Sequence, residues 1–416
     1  MAAPRPCWRA GGAEDHDRLK WKRSWLLCVC FNACFYRKCR QLYGIMRSVW
    51  PMSATPFAPV SPPGPGDRHG LSLRRLSFAD LAGFGHDDHL EAFQVFARSC
   101  SAIAAKKSPL RNGAPATPAL NAVAKAALRQ EKWEPAQARR FFERHFRPCL
   151  VSACAGVRNA GFLTGYYEPI VEGSWLPTRN FTAPVRGRPD NLAALALHPD
   201  RAAIEAGAFE RHTAPIVWLR DRVEVFLAQV QGSARVRLAD GSLLRLTYAG
   251  RNGHPYTSIG RILIDTGEIA EADMSLATLK QWIRTHGQNP GDAGAVLMHR
   301  NKSYVFFSPH EECAPARGPI GGQGISLTAL RSIAVDRAIW SYGLPFWIAA
   351  DLPWRGSSPS PFRRLMIAQD TGSAITGPAR ADIFFGSGDD AGARAGDIRH
   401  AGDVVVLLPA EEAPDP

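Results

Sequence analysis

At 416 residues, with 45% hydrophobic and 21% charged residues, the chain has the make-up of a globular protein large enough for two domains or one with a large insertion. The net charge of +12 would suit a nucleic-acid binder, but residues 1–50 hold ten Lys or Arg against three acids. That leaves +5 over the remaining 366 residues and no concentrated basic face, which argues against nucleic acid as a partner. Nine cysteines without a CxxC pair, and twelve histidines without HExxH or paired spacing, argue against a disulfide scaffold and against a metal. With 37 Gly and 32 Pro the chain favours β structure with many turns over a helical bundle.

Residues 1–70 read as targeting or linker sequence, or as lying upstream of a working start at Met46 or Met52. Arg18 to Arg23 is basic and Trp25 to Tyr36 is apolar but too short to span a membrane. This resembles a signal peptide, although Tyr36-Arg37-Lys38-Cys39-Arg40 is a poor cleavage region and Phe31-Asn32-Ala33-Cys34 only approximates a lipoprotein processing site. Residues 51–70, rich in Pro and Gly, read as a flexible linker.

Between residues 76 and 146 apolar side chains recur at three- and four-residue spacing, which predicts helices over Phe78 to Leu81, His89 to Arg98, Ala119 to Gln130 and Glu134 to Phe146. From Gly161 onward, short apolar runs separated by Gly, Pro and Asp predict strands and turns. Val223, Phe226, Leu227 and Val230 share a face of a predicted helix over Asp221 to Val230. A hairpin follows, turning at Asp240-Gly241, and Ser275 is placed to cap a second helix carrying Leu276, Leu279, Trp282 and Ile283. Tyr304 to Phe307 and Phe346-Trp347-Ile348 read as core strands, Asp389-Asp390 near Arg394 as a solvated loop, and Val404 to Leu408 as the last strand. The fold class expected is mainly β, α+β overall, with N-terminal helices.

Three aspartates stand out near the C-terminus. Asp336, Asp370 and Asp382 each lie at an apolar strand-like run, with glycines close to the last two. A carboxylate placed there is costly unless it is used, and burial can raise its pKa far enough to donate a proton near neutrality. Asp370-Thr371-Gly372-Ser373 spells the tetrapeptide of pepsin-like proteases, but that chemistry needs two such motifs. The nearest rival, Asp265-Thr266-Gly267-Glu268, is flanked by charged residues, so the protease reading is set aside.

Ile367 to Gly386, with Gly318-Pro319-Ile320-Gly321 and Arg331 to Asp336 before it, resembles the three-aspartate module of the membrane-bound lytic murein transglycosylase A family. Thr164-Gly165-Tyr166-Tyr167-Glu168-Pro169, Gln231-Gly232-Ser233 and Tyr248 to Gly260 resemble that family's other motifs, in order, over roughly residues 160–409. The resemblance implies a double-psi β-barrel domain split by an inserted β domain. The divisions expected are 71–169 for the helical lead-in and first part of the barrel, 170–312 for the insertion, and 313–409 for the rest of the barrel. It also implies non-hydrolytic cleavage of the β-1,4 bond between N-acetylmuramic acid and N-acetylglucosamine, leaving a 1,6-anhydro end.

By the family's pattern Asp382 is the single acid/base; Asp370 would then be a catalytic neighbour in the groove which, if ionised, stabilises positive charge on the sugar and helps to keep Asp382 protonated. Such an economy is chemically reasonable, because the sugar's own C6 hydroxyl replaces the second carboxylate of an ordinary glycosidase. Thr164, Tyr166, Tyr167, Glu168, Gln231, Ser233 and Asp336 are the substrate-binding candidates. The residues themselves leave other uses open: Gln231-Gly232-Ser233 as a helix-ending turn, Asp336 as a strand cap or a partner of Arg331 or Arg337, Asp370 as a turn residue. Competing readings are a glycan hydrolase using both Asp382 and Asp370, and a non-catalytic cell-wall binder. No cofactor is expected. The partner is peptidoglycan, with other cell-wall enzymes as candidates. A monomer on the periplasmic side of the cell envelope is expected.

Overall fold

The computed structural model describes residues 71–152, 160–190, 192, 198–310 and 317–415. The expectations for residues 1–70 lie outside them. The chain opens with strand β1 (Ser72–Arg75) and three helices, α1 (His89–Ala104), α2 (Pro118–Ala127) and α3 (Pro135–His145), followed by β2 (Phe146–Ser152) and β3 (Gly161–Glu168). Their starts are set by local chemistry: Asp88 accepts the Glu91 N–H at 2.9 Å, and Thr117 accepts that of Leu120 just before Pro118. Phe93, Phe96, Trp133, Phe141, Phe142 and Phe146 then interlock as tilted and edge-on ring pairs, which fixes the helices to one another.

Strands β4 (Ile170–Ser174), β5 (Ala183–Arg186), β6 (Pro215–Leu219), β7 (Ser233–Arg237), β8 (Leu243–Arg251) and β9 (Val305–His310) form a six-stranded sheet in the order β5-β6-β4-β7-β8-β9. Around it lie α4 (Arg201–Glu205), α5 (Arg222–Gln231), α6 (Ile259–Asp265), α7 (Leu276–Thr285) and α8 (Ala293–Arg300). The chain returns through β10 (Ser332–Val335), β11 (Pro345–Leu352), β12 (Ser360–Asp370), β13 (Arg380–Ser387), α9 (Asp389–Gly396) and β14 (Arg399–Pro409).

These late strands join the early ones in an eight-stranded sheet, β1-β2-β14-β11-β12-β10-β13-β3. Because β14 also pairs with β3, the strands from β14 round to β3 close a six-stranded barrel. Two of its pairings, β10 with β12 and β13 with β3, are parallel and the rest antiparallel, in a double-psi β-barrel set in an α+β chain. One apolar core runs through the barrel and the lead-in helices, from Phe93 and Phe96 to Trp347, Ile367 and Val406, and separate clusters fill the second sheet and its helices. Among the described residues no helix is long and apolar enough to cross a membrane.

The helices expected after residue 88 and the hairpin lie where the spacing put them, with Ser275 accepting the Thr278 N–H at 3.0 Å. Phe78 to Leu81, however, is only a 3-10 turn over Phe78–Asp80, and α4, α6 and α8 stand where strands and turns were expected. The solvated loop expected at Asp389 is corrected: residues Asp389–Gly396 are helix α9, whose glycines and alanines conceal it from a reading based on large apolar side chains. Those small residues let α9 lie directly on β3. A Cβ on Gly165 would meet the Ala395 backbone at 2.8 Å, and one on Gly392 would meet the Tyr167 ring at 2.7 Å.

Barrel and second sheet are tied by one carboxylate. Glu168 ends β3 and is wholly buried; its oxygens accept from Arg235 Nε of β7 at 2.7 Å, Arg245 Nε of β8 at 2.8 Å and Ser387 Oγ of β13 at 2.6 Å. Both arginines also reach the Arg317 carbonyl. Two buried guanidinium groups on one carboxylate leave nothing compensated if it is lost. Glu168→Gln is expected to lower unfolding free energy by about 3–5 kcal/mol; a chemical-denaturation midpoint unchanged from the parent would contradict this.

Candidate active site

Strand register builds the site. Ala334 of the short central strand β10 is opposite Asp370 of β12 on one side and Asp382 of β13 on the other. Asp382 is opposite Thr164 of β3, and Thr164 is opposite Arg399 of β14. Opposed residues on neighbouring strands project to the same face. Asp370, Ala334, Asp382, Thr164 and Arg399 therefore make a transverse row across the barrel's outer face. The row floors a cleft of ≈ 400 Å³ whose other wall carries Gln231, Tyr248, Arg251 and Tyr256 from the second sheet's side.

Asp382 is half-buried, and burial pushes its carboxyl pKa up. Arg380 and the hydrogen bond from Thr164 pull it down, the charge of Asp370 pushes it up, and burial prevails. Thr164 Oγ1 donates to Asp382 Oδ1 at 2.5 Å and accepts from Arg380 Nη2 at 2.6 Å, so the carboxyl is oriented by a two-step relay. Alternation along β13 sends Ile383 and Phe385 into the barrel core and leaves Phe384 on the face of Asp382, where it meets the Tyr166 ring at 5.3 Å. Of the three apolar residues that follow Asp382, Phe384 is therefore the one on its side.

Asp370 has both oxygens engaged: Gly322 N donates to Oδ1 at 2.7 Å and the Tyr166 hydroxyl to Oδ2 at 2.9 Å. Burial, then the neighbouring Asp370 carboxylate, holds the Tyr166 hydroxyl protonated well above the ordinary phenol range. The residue before it anchors the strand end. Gln369 Nε2 donates to Ser99 Oγ at 2.8 Å and to the Val95 carbonyl of α1, while Ser332 Oγ donates to Gln369 Oε1 at 2.6 Å. The helical lead-in thus fixes where Asp370 stands.

Thr164, Tyr166, Tyr167 and Gln231 join both aspartates in the cleft. Gln231 Oε1 accepts the Tyr167 N–H at 3.2 Å, and Gly232 beside it, at φ 82°, ends α5, so the triplet is both a helix-ending turn and part of the wall. Three expected sugar ligands stand elsewhere. Glu168 is spent on Arg235 and Arg245, and Ser233 is buried in β7. Asp336 accepts the N–H groups of Ala338 at 2.9 Å and Gly377 at 2.7 Å, outside the cleft; Arg331, one of its expected partners, pairs instead with Asp87 and Glu91. For all three, burial or backbone partners, invisible in sequence, decide the matter.

Arg111 was missed altogether. It comes from the segment after α1, donates to the Thr371 carbonyl, and lays its guanidinium over the Tyr248 ring at 4.1 Å. Nothing in its neighbourhood in sequence marks it. Tyr248, Arg251 and Tyr256 lay inside a motif already singled out and had only to be recognised as wall residues. Among the described residues no group of three His, Cys, Asp or Glu stands close enough to hold a metal.

A carboxyl whose pKa is raised above its ordinary 3.8 binds more protons folded than unfolded between those two values, so it makes stability fall as pH rises across that window. Asp382→Asn, which removes the ionisation, is expected to melt at a higher temperature than the parent at pH 7. The gain should fade below about pH 4, where the parent carboxyl is neutral in both states. Calorimetric scans at the two pH values check this, and equal midpoints at pH 7 would contradict it.

Residues 162–308 match the family model described as the MltA specific insert domain, and residues 331–408 match the 3D domain. The chain is 36% identical over 255 residues to the membrane-bound lytic murein transglycosylase A of Escherichia coli strain K12, a stretch covering 60% of this chain and 66% of that protein. It superimposes on the membrane-bound lytic murein transglycosylase from Agrobacterium tumefaciens with a TM-score of 0.70 at 36% identity, covering 81% of this chain and 98% of that one. Against E. coli MltA with bound chitohexaose the TM-score is 0.59 at 27% identity, with 86% and 95% covered. With both family models, the barrel and the shared architecture in agreement, the chain belongs to the membrane-bound lytic murein transglycosylase A family.

Proposed function

We propose that this protein is a peptidoglycan lytic transglycosylase with Asp382 as its single acid/base. The observation that carries the reading is the Asp382 carboxyl at the cleft floor, its pKa raised by burial and its orientation set by Thr164. In the first step Asp382 gives its proton to the glycosidic oxygen as the bond to C1 of N-acetylmuramic acid breaks. Positive charge grows on that sugar ring, and Asp370, anchored by Gly322 and Tyr166, faces it as a fixed negative group. Asp382, now a carboxylate, takes the proton of the C6 hydroxyl as O6 bonds to C1. The acid is thereby restored and a 1,6-anhydro end is left, with no water consumed. Holding C6 hydroxyl and C1 together supplies up to ~7–11 kcal/mol of the barrier in favourable cases.

Tyr166, Tyr167 and Gln231 provide aromatic faces and an amide suited to acetamido sugars. The related E. coli protein holds chitohexaose, which supports a glycan in the same groove. The relatives' description as membrane-bound supports the cell envelope as the site of action, with the periplasmic face, where the murein lies, as the working side. A hydrolase would need Asp370 to activate water, and the engagement of both its oxygens disfavours that.

Asp382→Asn is expected to lower turnover of purified sacculi at least ~100-fold while glycan binding persists. Mass spectrometry of the parent's products is expected to give anhydro ends; reducing ends would transfer the argument to hydrolysis by Asp370. Because the acid must be protonated, kcat/KM should fall as pH rises through the elevated Asp382 pKa.

A further inference from the structure

The cleft's charge bears on which glycan it takes, an inference that rests on the transglycosylase reading. Six arginines line it, Arg111, Arg201, Arg251, Arg337, Arg380 and Arg399, against two carboxylates, Asp370 and Asp382. Arg201 is paired with Glu205 at 3.2 Å, and Arg380 is occupied by Thr164 and the carbonyls of Phe162 and Ala381. The other four have no carboxylate partner among the described residues, and neither cleft aspartate forms an ion pair.

Their settings differ in a useful way. Arg111 and Arg337 are built into the wall: the Arg111 N–H donates to the Gly322 carbonyl and the Arg337 carbonyl accepts from Ala114. The Arg111 Nε is buried without an acceptor. Arg399 is exposed at the end of the transverse row, opposite Thr164, and its charge reaches Tyr256 on the facing wall. Arg251 ends β8 on that wall, and among the described residues its guanidinium has no hydrogen-bond partner.

A chain of N-acetylglucosamine offers no anion to four uncompensated guanidinium groups, whereas murein offers carboxylates. A fork of N–H donors matches a carboxylate in geometry and charge. We propose that the cleft selects glycan strands bearing a carboxylate beside the scissile bond, with Arg399 and Arg251 as the residues that read it. The carboxylate has two sources in murein, the stem peptide and, where the peptide has been removed, the free lactyl group of N-acetylmuramic acid.

The test measures KM and kcat on three soluble glycans from purified sacculi. One keeps its stem peptides, one is stripped by an amidase so that lactyl carboxylates are free, and one is stripped and then has those carboxylates converted to amides. For the parent, KM should be about tenfold lower on a carboxylate-bearing strand than on the amidated strand. Arg399→Gln and Arg251→Gln should each raise KM about fivefold to tenfold on the carboxylate-bearing strand with kcat little altered, and the penalty should shrink on the amidated strand. Whichever unmodified strand has the lower KM identifies the source. Should either variant misfold, the parent's KM on the carboxylate-bearing strand, but not on the amidated one, should still rise with sodium chloride. Equal KM on charged and amidated strands, with no difference in salt response, overturns the proposal. Cleavage of none of the three by the parent would instead sink the transglycosylase reading and this inference with it.

Discussion

The fold depends above all on a buried carboxylate shared by two sheets. Glu168 stands at the point where β3 leaves the barrel, and its two arginines come from adjacent strands of the second sheet. Side-chain packing alone would let two sheets joined by a short link rock against each other. Three charge-assisted bonds on one carboxylate allow few such positions, because any opening exposes buried charges without their partners. The width of the cleft, and hence the distance from Asp382 to the facing tyrosines, follows from that constraint.

Within the barrel the same logic operates through backbone register. A four-residue strand, β10, holds β12 and β13 apart, and its Ala334 is the small step between two carboxylates. Roughly two strand spacings, near 10 Å, separate the backbones of Asp370 and Asp382. At that remove each carboxyl has its own environment: Asp382 is desolvated beside Phe384 and Tyr166, while Asp370 is supplied with an amide and a phenol as donors. Two chemically identical groups are thereby given distinct behaviour by their surroundings.

Much of this was legible in the chain. Helices and strands with strong apolar periods were where their spacing put them, and the aspartates and the Thr164 to Tyr167 run were visible as motifs. What escaped detection had a common physical cause. Arg111 reaches the cleft from a segment about 53 residues ahead of Thr164, and no periodicity or motif links them. Helix α9 is built of residues chosen for smallness, so it has no apolar stripe to read. Glu168, Ser233 and Asp336 share motifs with true wall residues, but Glu168 and Asp336 turn to partners that only the folded chain supplies and Ser233 is buried in its strand. A motif locates a neighbourhood; burial and hydrogen-bond partners decide which of its members touch a ligand.

Floor and facing wall differ in how they are made. The floor's chemistry is locked into a hydrogen-bonded lattice, in which moving one aspartate would break the pairing of three strands at once. The wall opposite is formed from the end of α5, the start of α6 and side chains of β8 such as Tyr248 and Arg251, none of which is a hydrogen-bond partner of either aspartate. Sequence drift between relatives can therefore alter the wall while the aspartate row stays fixed, and an engineer seeking altered substrate range should leave the barrel alone and vary the wall.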